Sequence, residues 1–241
     1  MEESYAIGLR GISKRVGSVQ SNDQVNLTLR KSGIHAILGG KGSGKTNLMN
    51  MIYRSYYPDE GHIFVNGKEV KIRSPKDSYE LGIGMVHQHF KLVDVLTAAE
   101  NIVLGLPGKA RLNMKKITED IQKLVNKYGF DLDLSKKIYE MSVSENQTVE
   151  IVKMLYRGAR ILILDEPTRG IDIGTKVDIQ KLVLKLASEG MSVTFISSET
   201  DEMLRTCSRL IVMRDRKVVG ELSGEDLTQN KIMSTIAGGE N

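Results

Sequence analysis

Alternating and continuous runs of apolar residues mark strands in the first third of the chain. QVNLTLR (24–30) alternates, and GIHAIL (33–38) is a continuous apolar run that ends in glycines, so we expect the opening segment to form short strands. HIFVNGKEVKI (62–72) contains two alternating runs around Asn66-Gly67. Both turn residues tolerate positive φ, which predicts a β-hairpin there.

The middle of the chain has the periodicity of helices. After a predicted strand in IGMVHQ (83–88), TAAE (97–100) fits a capping box, and MKKITEDIQKLVNKYG (114–129) combines helical spacing with a terminal glycine. Residues from about 90 to 158 are therefore expected to be mainly helical.

Strand and helix patterns alternate again from Arg160 onward. The predicted elements are a strand in RILILD, a helix over about 174–188, a strand in MSVTFIS, a helix from Glu199, and two strands in RLIVMR and KVVGEL around Asp215. This order predicts an α/β fold with a helical insertion.

Length and composition narrow the class of protein. A chain of 241 residues can bury one large core, and the single cysteine, Cys207, indicates a reducing compartment rather than a disulfide scaffold. The net charge of +4 is spread along the chain, so no nucleic-acid partner is expected. Apolar runs are much shorter than the roughly 20 residues of a membrane helix, and MEESYAIG lacks a signal-peptide pattern, so we expect a soluble chain.

The segment GGKGSGKT (39–46) fits the phosphate-binding pattern G-x-x-x-x-G-K-[ST], between a predicted buried strand and a helix start. Glycines let backbone N–H groups approach phosphate oxygens, Lys45 adds positive charge, and Thr46 offers a hydroxyl to Mg²⁺. A glycine turn could match the pattern by chance in roughly one in a hundred chains of this length, and the strand-helix context lowers that figure. The candidate phosphate-binding residues are Gly39, Gly40, Lys41, Gly42, Ser43, Gly44, Lys45, Thr46 and Asn47.

The second candidate group is the carboxylate pair at the end of ILILDE. Asp165 could hold Mg²⁺ and Glu166 could orient or deprotonate an attacking water. Acidic residues after a buried strand are also common helix caps. The phosphate loop favours the functional interpretation, because parallel strands that end at one edge of a sheet bring their loops together there.

Taken in order, YAIGLRGISKR, GIHAILGGKGSGKTNLM, PDEGHIFVNGKEVKI, LGIGMVHQHFKLVDVLTAAENIVLG, LYRGARILILDEPT and CSRLIVMRDRKVVGEL resemble the ATP-binding subunits of ABC transporters, and most closely the sugar and nucleoside import branch. The resemblance runs from about Tyr5 to Gly239. It implies a P-loop NTPase (RecA-like) core with a small antiparallel β subdomain and an inserted α-helical lobe. A single ABC ATPase domain (1–241) would then consist of a core (1–88 and 159–241) and a helical lobe (89–158).

The resemblance also assigns roles and cofactors, namely ATP and Mg²⁺. Lys45, Thr46 and the loop amides would bind the phosphates, and Thr46, Gln88 and Asp165 would hold Mg²⁺. Glu166 would act with Gln88 on the attacking water.

Partners follow from the same resemblance. Asp172 in RGID would lie at an interface with a second ATPase half, which could form a homodimer or a heterodimer. The helical lobe would dock on transmembrane permease subunits, placing the chain in the cytoplasm on the inner face of the membrane. Members of this branch usually carry two ATPase halves in one chain, whereas this sequence has one.

A first departure concerns the family signature L-S-G-G-Q or L-S-V-G-Q, whose serine and glycine amides face the nucleotide held by the other half. Here the aligned residues are Met141, Ser142, Val143, Ser144 and Glu145. Ser144 adds a side chain where glycine allows close approach, and Glu145 adds a negative charge at a helix start. Two interpretations follow: a weakened dimer site, or a Glu145 side chain that points away from it.

The second departure lies in FISSE (195–199), where Ser198 stands at the position of the family's switch histidine. Losing a positioned contact of this kind commonly costs a hundredfold or more in rate, so slow hydrolysis is expected. Val16 stands where the family commonly has an aromatic that stacks on adenine. The leading hypothesis is an importer ATPase subunit, and the alternative is a catalytically degenerate, nucleotide-binding regulatory or structural half-site.

Overall fold

Two β-sheets and eight α-helices form the part of the chain that the computed structural model describes, namely residues 5–53, 56–106 and 113–238. The strands are β1 (Tyr5–Val16), β2 (Val19–Arg30), β3 (Ile34–Leu38), β4 (Glu60–Val65), β5 (Lys68–Val70), β6 (Ile83–Val86), β7 (Ile161–Asp165), β8 (Ser192–Ser197), β9 (Arg209–Arg214) and β10 (Lys217–Ser223). The helices are α1 (Lys45–Tyr53), α2 (Pro75–Glu80), α3 (Ala98–Val103), α4 (Met114–Tyr128), α5 (Val143–Tyr156), α6 (Ile173–Ser188), α7 (Thr200–Thr206) and α8 (Gln229–Ala237).

The larger sheet has six strands in the order β10-β9-β3-β8-β7-β6. Neighbouring strands from β9 to β6 pair in parallel, whereas β10, at one edge, pairs antiparallel with β9. Strands β3, β6, β7 and β8 are buried along their whole length, which explains why their sequences are mostly apolar and do not alternate. Their carboxyl ends lie along one edge, where α/β sheets bind ligands.

The smaller sheet is antiparallel, with the order β2-β1-β4-β5. The hairpin expected at Asn66-Gly67 joins β4 to β5, and both turn residues have positive φ (51° and 80°). The expectation of short opening strands is wrong, because β1 and β2 each contain 12 residues. Register shifts interrupt their pairing and break up the sequence alternation that reveals a strand.

A helical segment, α3 to α5, lies between β6 and β7 in the chain. The capping box expected in TAAE is present: Thr97 Oγ1 accepts from the N–H of Glu100, whose carboxylate accepts from the N–H of Thr97. Gly129 ends α4 in the left-handed conformation, with φ 72°. None of the described helices combines the length and apolar character needed to cross a bilayer.

Four buried clusters hold these layers together. One fills the space between the antiparallel sheet, α1 and one face of the large sheet, and a second joins the opposite face to α5 and α6. The third lies within the helical segment, and the fourth lies under α7 and α8. The large sheet is thus packed on both faces, which fixes the loops at its carboxyl edge.

Candidate functional site

The glycine-rich loop leaves the end of β3 and leads directly into α1. Two of its glycines, Gly39 and Gly44, are required by close packing. A Cβ on Gly39 would collide with the carbonyl oxygen of Met213, and one on Gly44 would lie 2.6 Å from the carbonyl oxygen of Ser21. Gly44 also has φ +94°, which L side chains rarely adopt. The loop therefore has the shape of a cradle whose backbone faces the start of a helix.

Lys45 lies inside this cradle. Its ammonium donates hydrogen bonds to the carbonyl oxygens of Gly39 and Gly40, and burial lowers the pKa of its side chain. The buried hydroxyl of Ser43 has no hydrogen-bond partner among the described residues. A buried cation and an unused hydroxyl beside loop amides fit a phosphate group, since each offers a donor to an anion.

Asp165 lies next to Thr46. It ends β7, is buried, and its Oδ1 accepts a hydrogen bond from Thr46 Oγ1 at 3.3 Å. Burial, the largest influence, raises the pKa of Asp165 to about 6, opposed by the hydrogen bond from Thr46. Carboxylate and hydroxyl oxygens are ligands that Mg²⁺ accepts, so this pair fits the metal.

Glu166, the next residue, is half-buried. Its backbone has φ 51°, and its N–H donates to the carbonyl oxygen of Ile196 at 2.9 Å. Ser198 Oγ donates to Glu166 Oε2 at 3.4 Å. A non-glycine residue held at positive φ is uncommon, and here the hydrogen bond to β8 helps hold it.

One cavity of about 510 Å³, here called the phosphate-loop cavity, brings most of the candidate residues together. Its lining contains Gly40, Lys41, Gly42, Ser43, Gly44, Lys45, Thr46, Asn47, Gln88, Glu166 and Ser198. Arg169 and Glu199 also line it, and sequence reasoning did not single them out. Their closeness to Glu166 and Ser198 in the chain was the available signal.

Five candidates do not line this cavity. Gly39 and Asp165 are hydrogen-bonded to its lining residues Lys45 and Thr46, and the other three lie elsewhere. Ser142 is the N-cap of α5, and Ser144 lines a separate cavity of about 420 Å³ between α4, α5 and α6. Asp172 is the N-cap of α6 and accepts from the N–H of Thr175 at 3.0 Å. Within this chain, therefore, these residues do not contribute to the lining of the phosphate-loop cavity.

Glu145 is held by its neighbours. Its carboxylate accepts from Lys136 Nζ at 2.8 and 3.1 Å and from the N–H of Ser142 at 2.7 Å, while its own N–H donates to Ser142 Oγ. The hydrogen bond from Lys136 is the main reason that the pKa of Glu145 is lowered. The charge at the start of α5 is thus paired with a cation.

A set of polar contacts that joins Ser21 and Asn22 of β2 to Gly44 and Asn47, here called the polar brace, was also not predicted from the sequence. Asn22 is fully buried; its Nδ2 donates to the carbonyl oxygen of Gly44 at 3.2 Å, and its Oδ1 accepts from Ser21 Oγ at 3.3 Å. Asn47 Nδ2 donates to Ser21 Oγ at 2.5 Å. The amide of Asn47 therefore contacts β2. No sequence pattern indicated this brace, because Ser21 and Asn22 precede the strand predicted over 24–30.

Comparison with known proteins agrees with this geometry. A family model described as "ABC transporter" matches residues 22–169. The chain is 39% identical over 238 residues to the guanosine import ATP-binding protein NupO of Bacillus subtilis (strain 168), covering 98% of this chain and 47% of that protein. It is 38% identical over 240 residues to the nucleoside import ATP-binding protein NupA of Lactococcus lactis subsp. cremoris (strain MG1363), with 99% and 47% covered. The chain thus spans about half the length of these relatives.

The fold has counterparts among solved structures. The ADP conformation of an ATP-binding cassette of an ABC transporter superimposes with a TM-score of 0.83 at 26% identity, covering 97% of this chain and 99% of the other. ABC ATPase domains bind nucleotide, and the phosphate loop described above lies in the part of the chain that the family model matches. With its P-loop NTPase fold and this match, the chain belongs to the ABC transporter family, as an ATP-binding domain.

Proposed function

We propose that this chain is the ATP-binding subunit, or one ATP-binding half, of an ABC importer for simple sugars or nucleosides. ATP binding and hydrolysis would drive uptake through membrane subunits. The observation that carries the proposal is the cavity that the glycine-rich loop shares with Gln88, Glu166 and Ser198, in which the lining residue Thr46 is hydrogen-bonded to Asp165. The relatives named for guanosine and nucleoside import support the substrate class.

The residues at the cavity would have three roles, namely binding phosphate, binding metal and orienting the attacking water. Lys45 would offset negative charge on the phosphates of ATP, the loop amides would donate hydrogen bonds to them, and Thr46, Asp165 and Gln88 would hold Mg²⁺. When bound, the metal would supply positive charge next to the transferred phosphoryl group. Glu166 orients and deprotonates the attacking water, with Ser198 hydrogen-bonded to it.

We propose that a second ATPase half completes the site. Ser142, Ser144 and Asp172 lie away from the phosphate loop of their own chain, which suits residues that would serve the nucleotide of a neighbour. The other half could be a second copy or a different chain. Residues 89–158 would form the lobe that docks on transmembrane permease subunits, so the chain would act on the cytoplasmic face of the membrane.

Hydrolysis by the chain alone is expected to be slow. Ser198 offers one hydroxyl where the family resemblance expects an imidazole, and Ser144 replaces a glycine. A subunit that binds nucleotide without turnover, in a regulatory or structural role, is the outcome that would replace an active ATPase.

The test is steady-state phosphate release from ATP·Mg²⁺, with nucleotide binding measured in the same samples. Lys45→Ala and Glu166→Gln are the matched variants. A rate above background that both substitutions abolish supports an active ATPase. Binding that is lost in Lys45→Ala, without turnover in any sample, supports the regulatory half-site. Equal nucleotide binding by the unchanged chain and Lys45→Ala contradicts the proposed site.

A further inference from the structure

The segment that follows β6, residues 87–96, has neither helix nor strand structure, yet its backbone is held by buried side chains. Glu150 Oε1 accepts from the N–H of Lys91 at 2.9 Å, and Lys153 Nζ donates to the carbonyl oxygen of Lys91 at 3.2 Å. Both come from α5. One helix therefore satisfies both backbone groups of a single loop residue.

These two side chains are almost inaccessible to water. Glu150 is 2% exposed and Lys153 is 7% exposed, and their charged atoms lie 3.8 Å apart. A buried charge pair is weak as a source of stability, because desolvation offsets much of its attraction. In this case each charge is also committed to the main chain of Lys91. Such an arrangement favours one defined backbone position over general stability.

A second buried side chain holds the backbone of the same segment two residues after Lys91. Asn101 in α3 is fully buried; its Oδ1 accepts from the N–H of Val93 at 2.8 Å, and its Nδ2 donates to the carbonyl oxygen of Val93 at 3.1 Å. Lys91 and Val93 thus have both backbone groups bonded to side chains of α5 and α3, respectively. The segment is held at two points, from two helices.

Gln88 lies only three residues before Lys91 and lines the phosphate-loop cavity. Within a chain of trans peptides, a fixed residue restricts the positions of its near neighbours, because each Cα is 3.80 Å from the next. We propose that Glu150 and Lys153 are positioning residues that fix Gln88 at the wall of the nucleotide cavity through the backbone of Lys91. This inference rests on the proposed function, since it assumes that Gln88 contacts Mg²⁺ and the attacking water.

Helix α5 connects two parts of the site that are distant in sequence. Helix α5 begins at the Ser142 N-cap, and its fourth turn leads to β7, which carries Asp165. A movement of α5 would therefore be transmitted to Gln88 by two hydrogen bonds. Glu150 and Lys153 do not line the cavity, so any effect on the nucleotide site must be indirect, and the hydrogen bonds to Lys91 provide a direct connection to the segment that carries Gln88.

The experiment measures ATP binding to the full chain with Mg²⁺ and with EDTA, together with phosphate release. Glu150→Ala and Lys153→Met are expected to reduce Mg²⁺-dependent binding and turnover by about tenfold, since small misplacements of catalytic groups have effects of this size. Binding in EDTA should stay within about twofold, because the glycine-rich loop is intact. Glu150→Gln keeps an oxygen acceptor for Lys91 and should lie within about threefold of the unchanged chain.

A double-mutant cycle with Gln88→Ala separates positioning from a general structural effect. If Glu150 acts through Gln88, Glu150→Ala has no further effect on Mg²⁺ dependence once Gln88 is removed. Any fall in melting temperature would persist in both backgrounds. Asp120→Asn is the matched control, because Asp120 and Lys123 form an exposed ion pair with the same i, i+3 spacing on α4.

Each outcome bears on a separate statement. Additive effects of Glu150→Ala and Gln88→Ala, or no effect of either on Mg²⁺ dependence, overturn the positioning role while Lys45-dependent binding leaves the proposed function intact. If the unchanged chain shows no ATP binding that depends on Lys45, both the positioning role and the proposed function are overturned. A non-additive cycle with a silent Asp120→Asn supports the inference.

Discussion

The hydroxyl of Ser198 lies 3.4 Å from Oε2 of Glu166 and donates a hydrogen bond to it. The two residues follow β8 and β7, which are neighbouring parallel strands, and both line the phosphate-loop cavity. The residue at the position of the family's switch histidine is therefore in contact with the carboxylate proposed to act on water. A serine there can orient Glu166, although it lacks the reach of an imidazole.

Ser198→Ala removes this contact. We expect phosphate release to fall about three- to tenfold, since one hydrogen bond contributes about 0.5–1.5 kcal/mol. Nucleotide affinity should change little, because Ser198 bonds to the carboxylate and the glycine-rich loop is untouched. Steady-state turnover and nucleotide titration check this, with Ser188→Ala on the surface of α6 as control. An unchanged rate would show that the hydroxyl does not orient Glu166.

Asp165→Asn should change how stability depends on pH in the absence of nucleotide and metal. Burial raises the pKa of Asp165 from its ordinary 3.8 to about 6, so the folded chain holds this proton more tightly than the unfolded chain. Its contribution to stability is present below pH 3.8 and is lost as the pH rises through about 6. Between pH 4 and pH 7, the free energy of unfolding of the variant should therefore rise relative to that of the unchanged chain by roughly 2 kcal/mol.

Urea unfolding across that range measures the difference. Asp172→Asn is a useful control of opposite sign, since hydrogen bonds from Thr175 lower the pKa of Asp172. The stability that Asp172 contributes is present above its ordinary pKa and is lost as the pH falls. A pH-independent difference between Asp165→Asn and the unchanged chain would rule out the raised pKa.

Whether the charge of Glu145 weakens association with a second ATPase half should depend on its ion pair with Lys136. Because Lys136 pairs with Glu145, we expect Glu145→Gln to change ATP-driven association by less than about threefold, as glutamine also suits a capping box. Lys136→Ala should weaken association about tenfold by leaving the negative charge unpaired. Sedimentation in a Glu166→Gln background with ATP measures this.

Lys137→Ala is the matched control. It also removes one positive charge, at the residue after Lys136, but the ion pair of Glu145 is with Lys136 and not with Lys137. A rise of tenfold or more in association for Glu145→Gln would instead favour the weakened dimer site inferred from sequence.

Cys207 should react slowly with thiol reagents in the folded chain. Burial raises the pKa of its thiol from 9.0 to about 11. The thiolate fraction at pH 8 should therefore be about a hundredfold lower than in the unfolded chain. Timed reaction with a chromogenic disulfide, before and after addition of urea, measures the ratio. Equal rates would contradict a packed Cys207.

Local signals in the sequence predicted much of the fold. Asn66-Gly67 indicated the β4–β5 hairpin, TAAE indicated the start of α3, and Gly129 indicated the end of α4, because each depends on nearby residues. Helix α8 was not predicted, although Thr228 caps it and Gly238 ends it. Its core contact is mainly Ile232, which is too small an apolar signal to identify a helix face.

The site was harder to predict where its contacts are distant in sequence. The glycine-rich loop and Asp165–Glu166 stood out because their spacing is tied to phosphate and metal chemistry. The brace between Asn22 and Gly44 and the contact between Glu150 and Lys91 span 22 and 59 residues, respectively. No local pattern predicts such pairs, because each is set by how separate elements pack.

The position of β3 determines when the phosphate loop can form during synthesis. This strand lies between β8 and β9, whose residues begin at Ser192 and Arg209, although β3 itself ends at Leu38. Its two neighbours are thus translated more than 150 residues later. Until they leave the ribosome, β3 has no partner in the large sheet, and the long loop that must close slows folding. A nascent chain that ends before β8 would therefore carry a complete phosphate-binding sequence that follows a strand with no partner in the large sheet.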